Sequence, residues 1–546
     1  MSLERFIKTE VVMIFLLCLA QLWLYPFFEF FPDNPDAIAY LNIARQLKAG
    51  NVAVLGNGYW SPLLPLITAP LINMSLDVVW IVRTVQLFIS VGVLYQLILL
   101  IKNFQLGPIA NVMSLSVGWL VVLNISLYTF SPDLLFVGAV LYYLNLMVKI
   151  KNPENSFYGW RIGLAASIMF FTKATGLMFF AGHFLVMNIL WYKMHCAYYF
   201  KHHQIRNFLA AILTAIILCG GFVAFQSGIQ QKFVYSYAAN FNLSKEVSPG
   251  VKPVVFLPII NGGLLNPSNE HVCAWESPHS YTTITPSAPW NNLTDFNLWV
   301  NTVKRNLMSI YYADFNRQAG LVWLIVIFIF TLFFKNKIAK NETVLVNCML
   351  AIIMLYVGYS LILVHERYLW VCRLLILSTS MAMAENLLQG KRMFRLAGLL
   401  LGVLLVSLTV KKNYKELLLG ADRDVSLVTL FKNPAKILTE SYHTERANWH
   451  AIKLASNNYT FQFEHFATIH CNDKYPFHYT DHALLAFLTK GQYVGNSLAT
   501  SNCLNETLRA KKVKYIITQG DCVDGYNQQI VFADINSGLR ILQISP

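Results

Sequence analysis

Four short stretches place ionisable side chains beside long apolar runs, where they are positioned to act on a hydroxylated or phosphorylated substrate. They are Pro32-Asp33-Asn34-Pro35-Asp36-Ala37-Ile38-Ala39-Tyr40, Ser131-Pro132-Asp133, Thr172-Lys173-Ala174-Thr175-Gly176, and His365-Glu366-Arg367-Tyr368-Leu369-Trp370. A carboxylate can take a proton from a hydroxyl, and a guanidinium matches phosphate oxygens in a planar fork. Each stretch also has a purely structural reading. Asn34-Pro35-Asp36 and Ser131-Pro132-Asp133 are good helix starts, with the acid favoured by the helix dipole. Lys173 can snorkel from a helix, and Arg367 can anchor a helix end, without taking part in chemistry.

The elements that carry these residues follow from composition. A chain of 546 residues that is 56% hydrophobic and 13% charged is far less charged than a soluble domain, so its apolar residues face lipid. A hydrocarbon core takes roughly 20 helical residues to cross. The apolar runs predict about eleven crossings, near 11–31, 79–101, 107–125, 133–149, 158–172, 175–192, 207–227, 319–334, 344–363, 368–387 and 395–411. Basic residues fall on every second connection: Arg5 and Lys8; Lys102; Lys149, Lys151 and Arg161; Lys193, Lys201 and Arg206; Lys335, Lys337 and Lys340; Lys391, Arg392 and Arg395. This orients the N-terminus to the cytoplasm and the C-terminus outside, and the net charge of +14 serves orientation rather than nucleic-acid binding. The first run lacks a small-residue cleavage site and reads as a retained span.

The stretch 158–192 reads as one long helix or as two shorter ones broken at Thr172 to Gly176; basic clusters at both ends favour an even number of crossings, which puts Lys173 at an outer hairpin tip. On this threading all four stretches gather at one rim, outside. Three larger pieces lie on the same side: a loop over 31–77, a loop over 227–318, and a tail beyond 412. The first contains an amphipathic helix running from Asp36 through Leu41, Ala44 and Leu47 to Gly50, which is expected to lie at the interface. The tail turns polar near 440, and strand-like runs at Tyr515–Thr518, Gln529–Ala533 and Leu539–Ile544 predict a small α/β domain. The division expected is a membrane module, 1–411, and an outer domain, 412–546.

Nine cysteines include no C-x-x-C pair and no zinc spacing; Cys273, Cys471, Cys503 and Cys522 fall outside, where oxidation is allowed. A Cys503–Cys522 bridge would close a loop of about twenty residues, worth roughly 3 kcal/mol if unstrained. His478 and His482 lack an obvious third ligand and read as surface residues, so the sequence neither assigns nor excludes a divalent ion. Sequons at Asn242, Asn292, Asn458 and Asn505 lie on the outer side.

The first-loop acid in Asp36-Ala-Ile-Ala-Tyr40, followed by Gly50-Asn51 and Tyr59-Trp60-Ser61-Pro62-Leu63-Leu64-Pro65, resembles the first outer loop of GT-C glycosyltransferases. The shape is nearest to the aminoarabinose transferases of lipid A and the protein O-mannosyltransferases. Ser131-Pro132-Asp133-Leu134-Leu135, Thr172 to Gly176 and Glu366-Arg367-Tyr368 agree in order and side. The loop Gly263-Leu264-Leu265-Asn266-Pro267 with Ala274-Trp275-Glu276-Ser277-Pro278 resembles bacterial members of the group. The resemblance implies a polytopic helical GT-C fold, a sugar donor on polyprenyl or dolichyl phosphate, and inversion at the anomeric carbon. It places the first-loop acid, here Asp36, near the acceptor. Protein mannosyltransferases usually have an Asp-Glu pair there, whereas this chain has Asp36-Ala37.

The roles expected on that footing are Asp36 as general base and Asp133 as a second acid orienting the sugar or the base. Arg367 and Lys173 would bind phosphate, and His365, Glu366 and Tyr368 the sugar or phosphate. Tyr40, Trp60, Trp275, Glu270 and His271 would contact sugar or acceptor; Trp60, Trp275 and Trp290 can stack on sugar faces, although interfacial tryptophans are more often membrane anchors. The expected partners are a polyprenyl-phosphate-linked sugar, a lipid, glycan or protein acceptor, and membrane lipids, in a bacterial inner membrane. The alternatives are a transporter or flippase of lipid-linked sugars, and a glycan polymerase or ligase. Against transport stand the absence of an inverted repeat and the scarcity of mid-span charge.

Overall fold

The structure is a computed structural model. It describes residues 3–25, 34–72, 77–149, 158–194, 198–247, 263–264, 267, 271–281, 289–312, 342–388, 443–458, 464–470, 479–490, 492–498, 508, 510–519, 528–534 and 539–544. The membrane part begins with α1 (Leu3–Leu24), α2 (Pro35–Lys48), α3 (Leu63–Thr68), α4 (Val78–Asn103), α5 (Pro108–Tyr128) and α6 (Pro132–Lys149). It continues through α7 (Gly159–Thr172), α8 (Thr175–Met194), α9 (Tyr198–Ala215), α10 (Gly221–Gln230), α11 (Tyr237–Val247), α12 (Leu293–Ile310), α13 (Glu342–Ser360) and α14 (Trp370–Leu388).

Among the described residues, six helical stretches are long and apolar enough to cross a membrane: α4, α5, α6, α8, the run through α9 and α10, and α13. The chain is an integral membrane protein. The crossing expected near 207–227 is one stretch, His202–Gln230, carrying a single π turn at Ile216–Gly220. The crossings expected at 319–334 and 395–411 lie outside the described residues, as do Glu270, Cys471, Cys503, Cys522 and Asn505. The segment 158–192 is two helices. Lys173 ends α7 in an extended conformation (φ −152°, ψ 130°), and α8 starts two residues later.

Buried polar side chains hold the bundle where lipid offers no hydrophobic drive between helices. Gln21 donates to Ser90 Oγ at 2.9 Å and to Ser126 Oγ at 2.6 Å, joining α1, α4 and α5. Buried Arg83 of α4 donates to the carbonyl of Leu127 at 2.7 Å. Gly159 and Gly163 of α7 lie directly against the backbone of Asn207 and Ala211 in α9, an approach that a Cβ would block.

The tail supplies α15 (His443–Asn458), α16 (Tyr479–Thr489) and five strands: β2 (His465–His470), β3 (Gln492–Leu498), β4 (Val513–Gln519), β5 (Gln528–Ala533) and β6 (Leu539–Ile544). The strand-like runs seen in sequence correspond to β4, β5 and β6. A two-residue strand of the second loop, β1 (Gly263–Leu264), completes a sheet ordered β1-β3-β2-β4-β6-β5. Here β2 runs parallel to both neighbours, and the β4-β6-β5 side is antiparallel.

This unit covers α2. Arg45 donates to the Phe487 carbonyl at 3.0 Å and lies 4.5 Å over the Phe487 ring. Tyr493 N–H donates to the Val272 carbonyl at 2.7 Å, and the Gln492 side chain to that of His271 at 3.2 Å. Instead of lying open at an interface, α2 is buried from Asp36 through Ala44.

Candidate active site

The site is assembled at helix ends. Asn34 caps α2, its Oδ1 accepting from the Asp36 N–H at 3.1 Å. The same amide donates to Thr129 Oγ1 at 3.1 Å and to the Phe130 carbonyl at 3.3 Å, tying the start of α2 to the segment that opens α6. There Ser131 Oγ donates to Asp133 Oδ2 at 2.7 Å. The helix-start reading of Asn34-Pro35-Asp36 is therefore correct, and the same cap sets the spacing of the two acids. Asn34→Ala removes a cap and two tertiary bonds, and it should lower stability by about 2 kcal/mol. A thermal midpoint in detergent that did not move would contradict that role.

Opposite them, the α7–α8 break presents Lys173, and a 3-10 turn at Glu366–Leu369 presents Arg367 ahead of α14. Arg367 Nη2 lies 2.7 Å from Asp36 Oδ2, while its Nε is 3.4 Å from Asp133 Oδ2. Lys173 Nζ pairs with Asp133 Oδ1 and sits 3.6 Å above the Tyr368 ring. The remaining oxygen of Asp36 accepts from Trp275 Nε1 at 2.9 Å.

Two carboxylates and two cations thus form one nearly enclosed, formally neutral cluster. Burial works against charge on Arg367, but Asp36 and Asp133 outweigh it and hold the guanidinium charged. Burial pulls the Lys173 ammonium below the usual lysine range, opposed chiefly by Asp133. Burial also pushes the Tyr368 phenol up to about 12.

The cluster lines a cavity of about 200 Å³. Of the residues expected from sequence, Asp36, Tyr40, Trp60, Asp133, Lys173, Trp275, His365, Arg367 and Tyr368 all face it. Glu366 does not, because it turns to Arg373 at 2.8 Å. Nor does His271, whose carbonyl serves the tail, while Trp290 is 81% exposed away from the cavity. Trp60 spends its N–H on the Glu276 carbonyl at 2.7 Å and packs edge-on to Tyr40 and Tyr59.

Tyr359, Ser236, Ala238 and Ala239 also line it without any sequence signal, and Tyr59, Thr175 and Asn242, which lie in motifs quoted above, line it without having been assigned a role. The sequon residue Asn242 thus lines the cavity, and Asn292 caps α12. Among the described residues, no three His, Cys, Asp or Glu side chains are grouped as a metal set.

Glu276 fixes the segment that carries Trp275. Buried, it accepts from the N–H groups of Val272 at 2.6 Å and Cys273 at 3.2 Å and from the Asn42 side chain. Burial raises its pKa from 4.5 to about 7. Since the folded value lies above the unfolded one, the folded state retains a proton that the unfolded state has lost between these pH values. The contribution is complete below about 4.5 and disappears as pH rises through about 7. Thermal stability should therefore fall from pH 5 to pH 8, and Glu276→Gln should flatten that slope. Equal slopes in the two proteins would exclude Glu276 as its source.

No protein-family model matches the sequence, and no match is found among curated proteins. In structure the chain is similar to ArnT from Cupriavidus metallidurans bound to undecaprenyl phosphate. Identity is 10% and the TM-score 0.53, covering 99% of this chain and 98% of that one. The apo state of the same protein matches at 11% identity and a TM-score of 0.53, over 98% of both chains. Likeness along nearly the full length of both chains shows that the two share a fold: a polytopic helical membrane protein with a small C-terminal sheet. The archaeal oligosaccharyltransferase AglB from Archaeoglobus fulgidus aligns over 93% of this chain and 69% of that one, at 9% identity and a TM-score of 0.49.

Proposed function

We propose that this protein is a glycosyltransferase that moves a sugar from a polyprenyl-phosphate carrier to an acceptor hydroxyl on the non-cytoplasmic face. The observation that carries the reading is the cavity at one rim of a GT-C fold where Asp36, Asp133, Lys173 and Arg367 converge. That ArnT was solved with undecaprenyl phosphate supports the choice of carrier.

The acceptor oxygen attacks the anomeric carbon as its proton passes to Asp36. The bond from that carbon to the phosphate oxygen breaks, its electron pair leaving with the phosphate. A single in-line displacement inverts the anomeric centre. The lipid phosphate gains one negative charge in this step, so cations fixed beside it favour the transition state over the bound donor. Arg367 turns two of its five N–H groups toward carboxylates and also bonds Tyr368, and its side chain lines the cavity, where guanidinium donors suit phosphate oxygens. Asp133 holds Lys173 and Arg367 in place. Tyr40, Trp60 and Trp275 provide aromatic walls for sugar or acceptor. Asp36-Ala37 in place of an Asp-Glu pair favours a lipid or glycan acceptor over protein. The membrane module is 1–411, with 412–546 as a domain on the same face in a bacterial inner membrane.

Mass spectrometry of lipid retained by the purified protein tests the reading. A polyprenyl phosphate, free or sugar-bearing, is expected. Transport of an intact lipid-linked sugar across vesicles, with no polyprenyl phosphate released, would replace it with the flippase alternative.

A further inference from the structure

Asp36 is held from two directions by donors of different kinds. Arg367 Nη2 reaches Oδ2 at 2.7 Å, and the neutral indole of Trp275 donates its Nε1–H to Oδ1 at 2.9 Å. The last torsion of an aspartate is soft, so a single donor leaves the carboxylate plane free to swing, whereas two donors on separate turns fix both oxygens. Asp36 thereby presents each oxygen in one direction to whatever enters the cavity.

In-line displacement distinguishes the two oxygens. Acceptor and departing phosphate lie on opposite sides of the anomeric carbon, and Arg367, which meets the phosphate in the proposed reaction, is bonded to Oδ2. Oδ1 is then the oxygen on the acceptor side. Each carboxylate oxygen can accept two hydrogen bonds, so the Trp275 N–H leaves room on Oδ1 for an acceptor hydroxyl. Trp275 is itself held. Its 3-10 turn, Ala274–Glu276, is tied to α2 by the Asn42 amide on the Glu276 carboxyl and to the first loop by Trp60 Nε1 on the Glu276 carbonyl at 2.7 Å. The tail holds the residues just before the turn, through the Tyr493 N–H on the Val272 carbonyl at 2.7 Å. Three remote parts of the chain therefore fix one indole, whose N–H is aimed at the base.

We propose that Trp275 is a positioning residue for Asp36, its N–H fixing Oδ1 as the oxygen that takes the acceptor's proton. The proposal rests on the glycosyl-transfer reading given above. In that step the acceptor O–H bond breaks, its proton bonds to Oδ1, and its electron pair forms the new bond to the anomeric carbon. A carboxylate turned out of line loses rate and keeps the donor lipid, because the lipid phosphate is held by other groups.

The test uses the full-length protein with two crossed substitutions. Trp275→Phe keeps an apolar ring and removes the N–H, whereas Trp275→His shrinks the ring and restores a ring N–H. Against undecaprenyl phosphate carrying glucose, galactose, mannose or aminoarabinose, the wild type should release lipid from at least one. On that donor, kcat should fall by about tenfold to a hundredfold in Trp275→Phe, while donor KM and affinity for undecaprenyl phosphate stay within about twofold. Trp275→His should turn over several-fold faster than Trp275→Phe. Benzothienylalanine at position 275, which has the shape of tryptophan with sulfur in place of the N–H, should reproduce the loss in a protein whose packing is unchanged. A kcat within about twofold of wild type in either protein lacking the N–H overturns the proposal alone. Trp275→His no faster than Trp275→Phe assigns the side chain to an aromatic wall, and a matching loss of lipid affinity assigns it to the donor site; both overturn the proposal as well. A wild type that releases lipid from none of the four donors counts against the glycosyl-transfer reading and the proposal together.

Discussion

Replacing Asp36 with asparagine should lower turnover by about a hundredfold or more, because the amide keeps the size of the side chain but cannot accept the hydroxyl proton. The structure makes this a clean substitution. Asn keeps an oxygen for Trp275 Nε1, which donates to Asp36 Oδ1 at 2.9 Å, and the cap supplied by Asn34 involves only the backbone N–H of residue 36. The lost interaction is the ion pair with Arg367 at 2.7 Å. Arg367 is then freer to meet phosphate, so affinity for undecaprenyl phosphate should be kept or increased. A purely structural Asp36 gives the opposite pattern of modest destabilisation with normal turnover. Turnover and lipid affinity measured on one preparation separate the two.

Arg367→Ala should weaken undecaprenyl phosphate binding by about tenfold to a hundredfold and depress turnover with it. The guanidinium bridges Asp36 and Asp133, which lie on different helices. Removing it takes away charge-assisted donors and turns a neutral cluster into one with net negative charge facing an anionic ligand. Lys173 remains, already committed to Asp133. Arg367→Lys restores the charge without the planar fork and should recover only part of the affinity. Titration of the lipid into both variants decides the matter, and alanine affinity within twofold of wild type would remove Arg367 from the phosphate site.

The charged half of this site was legible in sequence because ionisable residues stand out beside apolar runs. Lys173 shows how: basic clusters at both ends of 158–192 favoured an even number of crossings, and the chain breaks at that residue. The pairing of Arg367 with Asp36 spans 331 positions, and no local pattern encodes it. Glu366 gave the same signal as Arg367, yet one step around the 3-10 turn it faces Arg373 instead of the cavity. Tyr359 was invisible, and Tyr59 and Thr175 drew no role although they lie in conspicuous stretches, because uncharged residues near an apolar run have ordinary packing explanations. The enclosure of α2 was equally hidden. Its amphipathic pattern asks for cover on the apolar side alone, and nothing in it shows that a remote tail also packs against the helix, here with Phe487 on Arg45.

The most direct measurement of the central claim is the release of undecaprenyl phosphate from a sugar-bearing undecaprenyl phosphate by purified wild-type and Asp36→Asn protein side by side. Release by the wild type is expected, with the variant at about one hundredth of that rate or less while still binding the lipid. Equal rates in the two proteins, or no release by a wild type that binds the lipid, would contradict the assignment of this cavity to glycosyl transfer through Asp36.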